Sequence, residues 1–130
     1  MAAFPLAPGS TLGILGGGQL GRMLAQAAAR LGFDVAILER DADSPAGRVA
    51  AHTIVGPYDD RTALEALAKV ANVVTYEFEN VPADSVLTLQ ALGVEVAPGA
   101  EALAVAQDRV AEKQFLNASG APTVAFASAD

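Results

Sequence analysis

The chain contains no cysteine and no tryptophan, and only 5% of its residues are aromatic. Without a thiol there is no disulfide, no thiolate zinc or iron–sulfur site and no cysteine nucleophile. That usage agrees with a reducing compartment and leads to an expected cytoplasmic location. Positive charge is also scarce: 8 Lys and Arg stand against 15 Asp and Glu, for a net charge of −7. A nucleic-acid surface needs clustered basic residues, so the balance argues against that class of partner and none is expected. Phosphate ligands are not excluded, because backbone N–H groups and a helix dipole can hold an anion in an acidic protein. No apolar run approaches the roughly 20 residues that cross a bilayer, so no membrane partner is expected. Met1–Ser10 lacks the basic and apolar regions of a signal peptide. The single histidine, His52, sits in a weak strand pattern without convergent partners and reads as structural or surface, so no metal site is expected. No Ser-His-Asp order or other nucleophile signature is present.

What is present is an alternation of strand and helix patterns. The chain has 130 residues, 52% of them apolar, enough for one three-layer α/β domain. Met1–Ser10, with two prolines and a glycine, reads as a loose lead-in. Strands are expected at Leu12–Leu15, Val35–Leu38, Ala50–Val55, Val73–Tyr76 and Val94–Val96. The first helix is expected over Gln19–Leu31, with Leu20, Met23, Leu24, Ala27 and Leu31 giving it one apolar face. Gly32, Gly93 and Gly120 are natural helix stops, and Asp59 or Asp60 and Asp108 are natural caps. This order predicts a Rossmann-like parallel sheet with helices on both faces. Residues 11–107 form that domain; from Asp108 the chain reads as the opening of a second one. Thr123–Phe126 looks like the start of a further strand, and residues 127–130 lead nowhere.

The segment Gly16-Gly17-Gly18-Gln19-Leu20-Gly21 follows the first strand and opens the first helix. Small residues there let a backbone approach a ligand, and a helix start points N–H groups at an anion. Gly16, Gly18 and Gly21 match the dinucleotide fingerprint: Gly16 for the tight turn, Gly18 to admit a pyrophosphate, Gly21 for helix–strand packing. Glu39, about twenty residues further on, has the spacing of the acid that binds an adenosine ribose. The bland alternative is a tight strand-to-helix turn with no ligand. The fourth strand argues against a dinucleotide. It runs into Thr75-Tyr76-Glu77-Phe78-Glu79-Asn80-Val81-Pro82, where Glu77 and Glu79 would point the same way in an extended segment. In a doubly wound sheet the first and fourth strands flank the crevice where the winding reverses. Two carboxylates there would repel a pyrophosphate, but would suit hydroxyls or an amine beside a monophosphate at the helix start. Either glutamate alone is also compatible with a solvated loop, and Asn80 with turn chemistry. Tyr76 and Phe78 read as packing residues.

Three motifs in order carry a resemblance: Gly16–Leu24 (GGGQLGRML), Thr75–Pro82 (TYEFENVP) and Ala106–Leu116 (AQDRVAEKQFL). Together they resemble the N-terminal part of N5-carboxyaminoimidazole ribonucleotide synthetases, purine-biosynthesis ligases of the ATP-grasp superfamily, over nearly the whole chain after Ser10. The resemblance implies a pre-ATP-grasp domain of an enzyme that makes carboxyphosphate from ATP and bicarbonate. That enzyme then carboxylates the amine of 5-aminoimidazole ribonucleotide. It implies ATP and Mg2+ in the full-length enzyme and a homodimer. Gln19 and Leu20, with Gly18 beside them, match loop positions that touch the ribonucleotide. Glu77 matches an acid near its ribose or amine, and Arg109 matches an ATP-contacting arginine. Without the motif, Arg109 reads as a surface arginine at a helix start. The departure from the family is size. The chain is expected to be a fragment without catalytic residues of its own, inert and without bound cofactor when alone. Two other classes stay open at this point: an NAD(P)-dependent oxidoreductase domain, and a stand-alone nucleotide-sensing domain.

Overall fold

β1 (Thr11–Leu15) and β2 (Asp34–Glu39) are apolar on both faces, as strands in the middle of a parallel sheet must be. With β3 (His52–Val55), β4 (Val73–Tyr76) and β5 (Glu95–Val96) they form one parallel sheet in the order β3-β2-β1-β4-β5. This computed structural model describes residues 5–127, so the first four residues of the expected lead-in and residues 128–130 lie outside it. The winding reverses between β1 and its neighbours β2 and β4, where Leu12 lies opposite both Val35 and Val73. Asn72 fixes that register: its N–H donates to the Thr11 carbonyl and its Oδ1 accepts from the Thr11 N–H, both at 2.8 Å.

Residues along the strands alternate between two cores. Leu15, Ala36, Leu38, Val74 and Val96 face α2 (Arg61–Val70) and α3 (Ala83–Ala91), where Leu64, Leu67, Val86 and Leu89 meet them. Ile14, Val35 and Ile37 face α1 (Gln19–Arg30), which offers Ala25 and Ala28. Helices therefore cover both faces, as expected. Gly13 lets α2 lie close on β1, since a Cβ there would stand 2.9 Å from the Ala71 Cβ and 2.8 Å from Val74 Cγ2. Asp60 caps α2 by accepting from the Ala63 N–H at 2.8 Å. α4 (Ala100–Gln107) and α5 (Arg109–Ala118) follow β5, and Asp108 caps α5 by accepting from Val110 and Ala111. Gly32, Gly93 and Gly120 follow helix ends with φ of +82°, +87° and +83°, the left-handed conformation that makes glycine a stop.

Two expectations are corrected here. The face α1 turns to the sheet is Gly21, Ala25 and Ala28, whereas Leu20, Met23, Leu24 and Leu31 are exposed. Bulky Ile14, Val35 and Ile37 already fill the space on that side, so the small-residue stripe packs closer than the leucine stripe could. Thr123–Phe126 joins no strand of this sheet; Thr123 instead donates its N–H and hydroxyl to Asn117 Oδ1 at the end of α5.

Candidate functional site

β1 and β4 end side by side, and the glycine loop and the Glu77–Pro82 loop leave from their carboxyl ends. Gly16 makes the turn with φ +116°. Gly18 is the N-cap of α1 but has no side chain to cap with, and the first turn of α1 carries no acidic residue. A helix start in that state leaves N–H groups without partners. Glu77 fills the need from the other strand. One carboxylate oxygen accepts from the Gly18 N–H at 3.3 Å and the other from the Gly21 N–H. The position where the sequence leads one to expect a phosphate thus holds a carboxylate of the chain itself. Gly18 makes room for that carboxylate: a Cβ there would stand 2.7 Å from Glu77 Oε1. Gly21 is required by the turn as well, because a Cβ there would meet the Gly16 carbonyl oxygen at 2.6 Å.

Glu39 behaves in the same manner. Its carboxylate accepts from the Gly17 N–H and the Tyr58 hydroxyl, each at 2.7 Å, and from the Arg40 N–H at 2.6 Å. Partial burial works against its charge, but the hydrogen bonds from Tyr58, Gly17, Arg40 and Asp41 outweigh that and hold its pKa below the ordinary value. Burial, then the bond to Glu39 and its charge, push the Tyr58 phenol far up. The Tyr58 ring packs edge-on against Phe78, with centroids 5.6 Å apart, and Arg40 lies over its face. The sequence shows Glu39 at a ribose-binding spacing; the structure shows its oxygens engaged by the loop and by Tyr58, a partner that spacing alone did not reveal.

A carboxyl with a lowered pKa stabilises the fold above its unfolded value, here 4.5, and that stability is lost as pH falls through the folded value. The raised Tyr58 adds stability that is present below its ordinary 10.0 and lost only in strong alkali. Tyr58→Phe removes the donor that Glu39 accepts. Acid unfolding of the variant, followed by circular dichroism, is expected to begin at higher pH than in the unmodified chain. Identical acid midpoints would show that the backbone bonds alone hold Glu39.

Beside Glu77 lies an open hollow of about 440 Å³, lined by Leu20, Met23, Leu24, Ala27, Tyr76 and Glu77. The outward leucine stripe of α1 is its apolar wall, and Glu77 is the charged group in its lining. Gly18, Leu20 and Glu77 thus come together at this edge, and Gln19 stands exposed on the same first turn. Glu79 does not join them. The chain bends after Tyr76 instead of staying extended, so Glu79 lines a different, polar cleft of about 380 Å³ with Asn80, Ala106, Gln107, Arg109 and Glu112. Arg109, at the first turn of α5, is highly exposed and pairs with Glu112 at 2.5 Å, which pushes its pKa further up and keeps it charged. His52 is exposed at the start of β3. Among the described residues, no three His, Cys, Asp or Glu side chains converge as a metal site. No helix among them is long and apolar enough to cross a membrane.

Comparison with known proteins agrees with this fold. Residues 10–107 match the ribonucleotide synthetase preATP-grasp domain family. The chain is 53% identical over 125 residues to the N5-carboxyaminoimidazole ribonucleotide synthase of Brucella melitensis, covering 96% of the chain and 34% of that protein. It is 43% identical over 118 residues to the enzyme of the same name from Staphylococcus haemolyticus, covering 91% of the chain and 31% of that protein. The N5-carboxyaminoimidazole ribonucleotide synthetase of Thermus thermophilus superimposes with a TM-score of 0.81 at 46% identity, over 86% of the chain and 31% of the other. The Aspergillus clavatus enzyme, crystallised with ADP and 5-aminoimidazole ribonucleotide, superimposes at 0.77 with 36% identity, over 87% and 30%. The chain therefore spans about a third of the length of these relatives. It belongs to the N5-carboxyaminoimidazole ribonucleotide synthase family, as the N-terminal preATP-grasp portion of that enzyme.

Proposed function

We propose that this chain is the substrate-binding front domain of an ATP-dependent ligase in de novo purine synthesis. In that reaction ATP phosphorylates bicarbonate, giving carboxyphosphate and ADP. The exocyclic amine of 5-aminoimidazole ribonucleotide then takes up the carboxyl carbon as phosphate leaves, giving the N5-carboxy product.

The observation that carries the proposal is the Glu77 carboxylate, held by the Gly18 and Gly21 amides at the edge of the apolar hollow. Each carboxylate oxygen has two acceptor positions, and the loop uses one on each. The remaining ones suit ribose hydroxyls or an amine, while Leu20, Met23 and Leu24 suit the flat face of an imidazole. Gln19 and Leu20 stand on the same first turn. Arg109 is assigned to ATP: its exposed guanidinium fork matches phosphate oxygens. The described residues offer no magnesium cluster, so in this proposal Mg2+ arrives with ATP and is held by later domains. Residues from Asp108 onward open the ATP-grasp part, the complete enzyme is a cytoplasmic homodimer, and the 130-residue chain alone is inactive.

The arrangement does not favour a dinucleotide. A pyrophosphate needs the loop amides, and those of Gly17, Gly18 and Gly21 are engaged by carboxylates. Calorimetry on a full-length enzyme carrying this domain is expected to show binding of 5-aminoimidazole ribonucleotide and none of NAD. Micromolar NAD binding with no response to the ribonucleotide would replace the proposal with an oxidoreductase.

A further inference from the structure

Gln107 is the last residue of α4, and its side chain reaches across to the loop that follows β4. Its amide nitrogen donates to the carbonyl of Glu79 and to the carbonyl of Val81, both at 2.7 Å. A glutamine amide has two N–H groups, so both are used on one short segment. That segment begins at Glu77, and few other polar contacts hold it. The Glu77 N–H donates to the Leu15 carbonyl at 3.1 Å, its carboxylate accepts from the Gly18 and Gly21 N–H groups, and Phe78 leans on Tyr58. Val81 is fully buried and anchors the far end. Between these points the two carbonyls flanking Asn80 are tied to the fold by Gln107.

We propose that Gln107 is a positioning residue for the ribonucleotide, tying the Glu79–Val81 backbone to the end of α4 so that Glu77 is held in place over the α1 amides. The proposal rests on the role given to Glu77 in the preceding subsection. Gln107 does not touch the hollow itself; it acts through the loop. Its neighbour Arg109 does not depend on it in the same way, because Asp108 caps α5 independently with two bonds of 2.8 Å. Gln107 and Arg109 line one cleft, so loss of the tie should be felt more strongly at the ribonucleotide than at ATP.

Donor chemistry separates this role from simple packing. Gln107→Glu keeps the length but cannot donate, and it sets a negative charge against two carbonyls. Gln107→Ala removes the tie. Gln107→Lys restores N–H donors at similar reach. In the full-length enzyme, the Glu and Ala variants are expected to raise KM for 5-aminoimidazole ribonucleotide about tenfold, with a clearly smaller change in the KM for ATP. The Lys variant is expected to recover most of that loss. In the 130-residue chain, amide hydrogen exchange at Glu77, whose N–H donates to the Leu15 carbonyl, should quicken in the Glu and Ala variants and stay slow in the Lys variant. An unchanged ribonucleotide KM in the Glu and Ala variants would overturn the proposal. So would an equal rise in all three, which would mark Gln107 as a packing residue. If the unmodified enzyme shows no response to the ribonucleotide while the exchange pattern holds, the function proposed above fails and the tie stands as a structural feature alone.

Discussion

Replacing Glu77 by glutamine is expected to lower kcat/KM for 5-aminoimidazole ribonucleotide by about one to two orders of magnitude. That corresponds to losing a charged hydrogen bond worth roughly 1.5–3 kcal/mol. The shape of the side chain is conserved, but its chemistry is not. In the unmodified chain both oxygens accept from backbone N–H groups, at Gly18 and Gly21. Glutamine keeps one acceptor and turns an NH2 toward the other N–H, so donor meets donor. The variant therefore loses the charge that the substrate's hydroxyls or amine would meet, and the carboxylate's orientation as well. It also loses a helix cap, for which α1 has no local substitute. Cap losses are typically about 1 kcal/mol, so the melting temperature should fall by a few degrees while the fold survives. Kinetics and thermal melting on the same preparation separate the two effects. A lower melting temperature with unmodified kcat/KM would reduce Glu77 to a structural cap. A loss confined to the ribonucleotide, with the KM for ATP unmoved, is the outcome expected here.

The local parts of this site were legible from sequence. The turn at Gly16, the helix stops at Gly32, Gly93 and Gly120, and the caps at Asp60 and Asp108 each depend on a few neighbouring residues. Alternation of strand and helix patterns was enough for the sheet and its point of reversal. What escaped depends on where distant segments meet. Both α1 stripes have helical spacing; the sheet took the alanine stripe because its own side chains were large, and periodicity does not record that. Glu77 and Glu79 share a parity that would align them in a strand, but the strand ends at Tyr76 and the two diverge. The capping of α1 by Glu77 spans more than 50 positions, and the Glu39–Tyr58 bond spans 19. The first has a sequence signal of its own: a helix start with glycine at its cap and no acid in its first turn calls for an acceptor from elsewhere. Gln107 had none beyond its place in the Gln-Asp-Arg motif.

The 130-residue chain by itself is expected to release no ADP from ATP when given bicarbonate and 5-aminoimidazole ribonucleotide. Making carboxyphosphate requires cations on the transferring phosphoryl group and a metal bridging the nucleotide's phosphates. From Arg109 onward the sequence contains one further cation, Lys113. Arg109 is paired with Glu112, and Lys113 lies over the Phe126 ring at 5.1 Å, so neither stands beside Glu77. The acids of the site do not converge either: Glu39 and Glu77 cap the glycine loop at separate amides, and the described residues hold no cluster of three that could bind a metal. The sheet core is separate from that chemistry. Leu15, Leu38, Leu64, Leu67 and Leu89 are buried within one face of the sheet, and Ile14 and Ile37 within the other. A single cooperative melt is therefore expected from a chain without turnover. The two measurements belong together, since a chain that fails to fold would be silent for a trivial reason. Turnover near that of a full-length enzyme would mean that the ATP site is complete within these residues, and that the assignment of Glu77, Arg109 and the loop to one wall of a larger site is wrong.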